Sequence, residues 1–195
     1  ITFSSNNQNP IKSENLISLN KKIILLEKEY IEFSLIHDRK LQGKYYFERR
    51  QGQHSSINKE FVIDIPAQAK VFIASWLLKP HTALQLKDQT LFQYNDLIDM
   101  YEENDLHAFY RLSILSGIMW CKVYHTIKGT NSESARYHIL CGIIFSTIKH
   151  FLLENYIADT DSGKITILIE QIDNIEKMLM ELLSDPTKLS EEIDK

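Results

Sequence analysis

The chain has 195 residues, 22 Lys+Arg against 26 Asp+Glu, a formal net charge of −4, and is 44% hydrophobic and 25% charged. That balance excludes a disordered chain, and no apolar run reaches the roughly 18 residues of a membrane span before Lys, Arg, Glu or His interrupts it. Six Gly and four Pro leave few places to turn, which argues against a many-stranded sandwich or barrel and for long helices.

In chain order, residues 1–4 read as a strand end, followed by the amide loop Asn6-Asn7-Gln8-Asn9-Pro10. From Leu16 the pattern turns helical to about Ile36, with Ser18 or Asn20 as cap and Ile24, Leu25, Tyr30, Ile31, Phe33 and Leu35 on the apolar face. The aromatic run 44–50 between Gly43 and Gly52 predicts a short strand, as does 61–65, and the two are candidates to pair. Asp64 ahead of Pro66 predicts a helix start, a buried helix over 67–78 containing Trp76, and a stop at Lys79-Pro80. Further helices are expected over 91–102, 105–127, 132–156 and 164–184, the second and third joined by the short linker Lys128-Gly129-Thr130-Asn131 as an antiparallel hairpin, and Pro186 ends the last. The fold expected is therefore mainly α: a helical bundle of five or six helices over 66–195, with a small β element in an N-terminal segment, 1–65. The opening at Ile1, without a basic-then-apolar leader, reads as a piece of a longer protein, the 1–65 segment belonging to a domain that continues upstream.

Charge is uneven. Residues 38–60 hold six basic and three acidic side chains, whereas 154–195 hold eleven acidic and four basic, so any contact with phosphate is expected from Arg39, Lys40, Lys44, Arg49 and Arg50. In the last helix Ile165, Leu168, Ile172, Ile175, Leu179 and Leu182 form a seam at steps of three and four. It either docks on the chain's own core or makes a homodimer through 164–184.

Four side-chain amides in one loop can hold a nucleotide edge, a sugar or a phosphate, or simply bond their own backbone. In Tyr46-Phe47-Glu48-Arg49-Arg50-Gln51-Gly52, guanidinium forks suit phosphate and aromatics suit bases; the same residues also fit a structural Glu–Arg pair. Asp38 with Glu48-x-Arg50 is a degenerate version of a metal-dependent nuclease half-site, which would use Mg. Cys121 and His125, with His138 and Cys141, have spacings that fit a Cys₂His₂ zinc tetrahedron between two helices; as core filler, the two cysteines instead fit a reducing cytoplasm. Neither metal is required by the pattern, and no cofactor is expected. Gly-rich phosphate loops, Gly-x-Ser-x-Gly and His-Glu-x-x-His are absent from the sequence.

The combination of Asn6-Asn7-Gln8-Asn9-Pro10-Ile11-Lys12, then Tyr46-Phe47-Glu48-Arg49-Arg50-Gln51-Gly52, then Leu78-Lys79-Pro80-His81 resembles the AIPR family, named for abortive infection phage resistance. Position 7 is Asn where the family usually has Ser or Thr, and position 50 is Arg where Lys is common. The resemblance covers about residues 1–100. It implies a bacterial, cytoplasmic protein of phage defence that binds nucleic acid or nucleotide, with Asn7, Gln8, Asn9, Glu48, Arg49, Arg50 and His81 as candidate ligand-binding residues. The alternative is a helical interaction or oligomerisation module whose chemistry lies in an upstream domain of the same protein.

Overall fold

A computed structural model describes residues 13–85, 87–126, 133–151 and 171–194. Among them are nine α-helices and a two-stranded sheet: α1 (Ser13–Ile17), α2 (Lys21–Leu41), β1 (Tyr46–Glu48), β2 (Val62–Asp64), α3 (Ile65–Ser75), α4 (Pro80–Gln85), α5 (Lys87–Met100), α6 (Glu103–Thr126), α7 (Glu133–Phe151), α8 (Ile172–Ser184) and α9 (Pro186–Ile193). The mainly helical expectation holds. Local chemistry explains the boundaries that the sequence located. The Asn20 side chain accepts the Lys22 backbone N–H at 2.8 Å and starts α2. Asp64 accepts the Ala67 N–H at 2.8 Å and starts α3, with Pro66 in the first turn.

Three details differ from expectation. The helix expected over 91–102 begins earlier, as α5, and α4 precedes it. Pro80 stops one helix and opens the next, because its fixed φ and missing N–H suit a first helical turn. Leu78, in the left-handed region at φ 52, makes the reversal between them, and the Lys79 N–H bonds back to the Ile73 carbonyl at 3.2 Å. Pro186 likewise ends α8 but begins α9, which Asp185 caps through the Thr187 and Lys188 N–H groups. The strand expected over 1–4, and the last turns of the helix expected over 132–156, lie outside the described residues.

β1 and β2 pair in parallel, with Tyr46 opposite Val62, Phe47 opposite Ile63 and Glu48 opposite Asp64. Parallel strands need a crossover. Residues 49–61, ending in a 3₁₀ turn at Lys59–Phe61, supply it. Phe47 and Ile63 face inward, and the sheet joins one hydrophobic cluster that runs from Ile17 to Leu189, on both sides of residue 65. At its centre α3 packs on α4, α5, α6 and α7. Polar groups inside this core are paired: Tyr30 Oη donates to Gln68 Oε1 at 2.5 Å, Gln68 Nε2 to the Ser113 carbonyl at 2.9 Å, and Trp76 Nε1 to the Leu112 carbonyl at 2.9 Å.

The seam of the last helix turns inward over its described part. Ile172, Ile175 and Leu179 are buried, Leu182 is half-buried against them, and α8 packs on α6, α2 and α7. Arg111 of α6 fastens it, donating to Glu176 at 2.5 Å and Asp173 at 2.9 Å. Ile165 and Leu168 lie outside the described residues. Among the described residues, no helix is long and apolar enough to cross a membrane.

Candidate functional site

Period-two alternation leaves Glu48 and Asp64 pointing to the same side of the parallel pair, in register, at the carboxyl ends of both strands. Beyond them opens a cleft of about 450 Å³, lined by Glu48, Gln51, Gly52, His54, Ser55, Ile57, Lys59, Val62 and Asp64. Glu48 Oε1 accepts the Gly52 N–H at 2.6 Å and so holds the loop that forms one wall. Gly52 has φ +80°, a conformation costly for any residue with a Cβ. The Tyr46 and His54 rings meet with centroids 5.1 Å apart and brace the same loop. A second cleft of about 230 Å³ shares Glu48, Gln51 and Asp64 and adds Arg49, with Glu14 and Asn15 of α1. The chain segment that directly follows the amide loop thus reaches the carboxyl ends of the strands.

The predicted residues divide. Glu48 lines both clefts. Arg50 is exposed beside them, with its backbone N–H bonded to Gln53 Oε1 at 3.2 Å. Arg49 is committed to structure: Nε donates to Glu27 Oε2 at 2.7 Å and a terminal nitrogen donates to the Ser18 carbonyl at 2.9 Å. The structural Glu–Arg pair is real, but its carboxylate is Glu27 of α2, not Glu48. His81 sits on α4 beyond the C-terminal end of α3, whereas Asp64 caps the N-terminal end, about 16 Å away along the axis. Asn7, Gln8 and Asn9 lie outside the described residues.

The nuclease half-site does not assemble. Ser34 of α2 bonds the Tyr45 backbone and Glu27 bonds Arg49, so β1 runs back along α2. Asp38 is three turns beyond Glu27, about 16 Å, on the far side from Glu48. Of the proposed Cys₂His₂ set, Cys121 is buried in the core, and burial pushes its thiol up to about 12. Cys141 is half-buried and raised to about 11 for the same reason, and His138 faces His81. The His125 side chain lies outside the described residues. Among the described residues, no three His, Cys, Asp or Glu side chains are grouped to hold a metal ion.

Sequence reasoning missed Asp64, Gln51, His54 and Lys59 as cleft residues. Asp64 was legible only as a helix cap, since its place opposite Glu48 depends on the parallel register. Glu27 shows how firmly the neighbouring pair is set. Burial pushes its carboxyl up, but hydrogen bonds from Arg49 and Gln53 outweigh that and hold it below its ordinary 4.5. Arg49→Ala leaves Glu27 mostly buried without its cation, and should cost about 1–3 kcal/mol at pH 7 in a denaturant titration. A carboxylate with a depressed folded pKa adds stability above its unfolded value and loses it as pH falls through the folded one. The difference between wild type and Arg49→Ala should therefore shrink below about pH 4.5.

A helical bundle with a two-stranded parallel element, and a polar cleft where its strands end, is the class this architecture defines. The AIPR protein family matches residues 1–187, and the chain belongs to that family, whose members are proteins of abortive infection and phage resistance. No curated protein and no solved structure matches it.

Proposed function

We propose that the chain acts in a cytoplasmic bacterial anti-phage protein and binds nucleic acid or a nucleotide at the cleft beyond β1 and β2. The observation that carries this reading is the in-register Glu48–Asp64 pair, set in a polar cleft with Gln51, His54 and Lys59 and with Arg50 exposed beside it. Carboxylates and amides suit the amino and hydroxyl donors of a base or ribose, while Arg50 and Lys59 suit phosphate. This reading drops Arg49 and His81 from the site.

A second reading, an interaction module docking an upstream domain or a second copy, draws on the exposed apolar side chains of α1, α2 and the turn between them. These are Leu16, Leu19, Leu25, Ile31, Leu35 and Ile36. Phage plating on cells carrying the intact protein separates the two. Arg50→Ala with Lys59→Ala should lower protection at least tenfold at unchanged protein level, and Leu35→Ser with Ile36→Ser should leave it intact. The reverse pattern would favour the module.

A further inference from the structure

α2 buries one face against β1, α6 and α8, through Ile23, Leu26, Tyr30 and Phe33. Its opposite face carries large apolar side chains in the open: Leu25 is 43% exposed, Leu35 55% and Ile36 76%. With about 3.6 residues per turn, these three fall with exposed Lys28 and Glu32 inside one arc of about 100°, and half-buried Ile24 borders it. Single apolar residues on a surface need no explanation, but a contiguous stripe of them marks a docking face.

The order of charge and apolar groups along the stripe names the occupant. Counted from the level of Tyr30, Lys28 lies two positions before and Glu32 two after, Leu25 and Leu35 five, and Ile24 and Ile36 six. A twofold axis that sets two copies of a helix antiparallel brings together positions equidistant from its centre. Centred at Tyr30, it places each Lys28 against Glu32 of the other copy. On one side of these ion pairs Leu25 then meets Ile36 of the other copy, and on the other side Ile24 meets Leu35. Neither Lys28 nor Glu32 has an ion-pair partner among the described residues, so both charges are available. A parallel pairing would oppose Lys28 to Lys28 and Glu32 to Glu32, which like-charge repulsion disfavours. We infer that the outer face of α2 is self-complementary and pairs antiparallel with α2 of a second copy of this chain.

This inference gives the surface of the second reading above a definite occupant, and it does not depend on nucleic-acid binding at the cleft. The surface also differs from the 164–184 seam, whose described part faces inward. Lys21 meets Arg39 at each end of the pairing, a repulsion at the exposed rim that physiological salt screens. One helix pair buries less than the roughly 1,200 Å² of a standard stable interface, so the dimer is weak, with Kd about 10⁻⁵ to 10⁻⁴ M.

Sedimentation velocity of the chain from roughly 10 to 500 μM tests the pairing, with circular dichroism to check that each variant keeps its helix. Wild type should pass from monomer to dimer over that range. Lys28→Glu and Glu32→Lys each gather four like charges at the centre and should raise Kd at least tenfold. The combined Lys28→Glu/Glu32→Lys chain, and an equimolar mixture of the two single variants, restore opposite charges across the axis and should return to within about threefold of wild type. Leu35→Ser/Ile36→Ser should weaken the dimer at least tenfold, whereas the cleft variant Arg50→Ala/Lys59→Ala should dimerise as wild type does, which separates this face from the cleft. A wild type that stays monomeric, single reversals that dimerise normally, or a combined variant and mixture that stay monomeric would each overturn the assignment.

Discussion

Gly117→Ala should destabilise the protein by about 2–5 kcal/mol, although alanine is the better helix former by about 1 kcal/mol. Gly117 lies within α6, and a Cβ built there would fall 2.0 Å from the Tyr30 hydroxyl, 2.7 Å from Gln68 Oε1 and 3.3 Å from Ile63 Cδ1. The hydroxyl has nowhere to go. Tyr30 is fully buried, its ring stacks on Phe47 with centroids 5.5 Å apart, and burial pushes its pKa well above the ordinary value, so it stays a neutral donor to Gln68. The methyl must either lift α6 from α2 and α3 or break the Tyr30–Gln68 bond and strand a buried amide. Gly117→Ala combined with Tyr30→Phe removes the nearest atom, so the double variant should lose less than the two single losses added together. Urea midpoints of the four proteins measure it. A Gly117→Ala chain as stable as wild type would mean that α6 does not approach α2 and α3 this closely.

That glycine also shows where sequence reasoning stops. Asn20 and Asp64 announce helix starts because each side chain accepts a backbone N–H two or three residues on, and Pro66 because its own φ is fixed and its N–H is missing. Gly117 is explained only by Tyr30, Ile63 and Gln68, which are brought to it by the packing of three other elements. The site follows the same rule. Glu48 and Arg50 stood out because aromatics and guanidiniums are adjacent in the chain, yet Arg49, between them, belongs to Glu27, twenty-two residues earlier. The two short strands were readable as extended segments, but nothing local says that they run parallel. Without that register, Asp64 could not be placed beside Glu48. His81 stands out only through the family resemblance, as the histidine of a Pro-His after an apolar helix, and only the packing of α4 on α7 shows His138 as its neighbour. The biological class came from resemblance, carried by motifs whose first member, the amide loop, lies outside the described residues.

Nucleic-acid binding has the second large effect. With Arg49 committed to Glu27, the exposed cations around the cleft side of the molecule are Arg50 and Lys59, with Lys44 and, at the end of α2, Arg39 and Lys40 nearby in sequence. So few cations neutralise few phosphates. Binding should be weak, with Kd roughly 10⁻⁴ to 10⁻⁶ M at moderate salt, and the affinity should fall as salt rises because counterions are released from the strand. Arg50→Ala with Lys59→Ala removes two of these charges, which should lower affinity about tenfold or more and flatten the salt dependence by close to two counterions. Lys188, on α9 between Glu181 and Glu192 at a separate cleft, serves as the control.

Fluorescence anisotropy of a labelled single-stranded oligonucleotide with this chain, at 50 and 200 mM salt, decides whether the cleft beyond β1 and β2 binds nucleic acid. Binding should saturate at the lower salt and fall steeply at the higher. Arg50→Ala/Lys59→Ala should bind more weakly and with less salt dependence, and Lys188→Ala should bind as wild type does. No binding at 50 mM salt, or an equal loss in Lys188→Ala and the double variant, would contradict binding at that cleft.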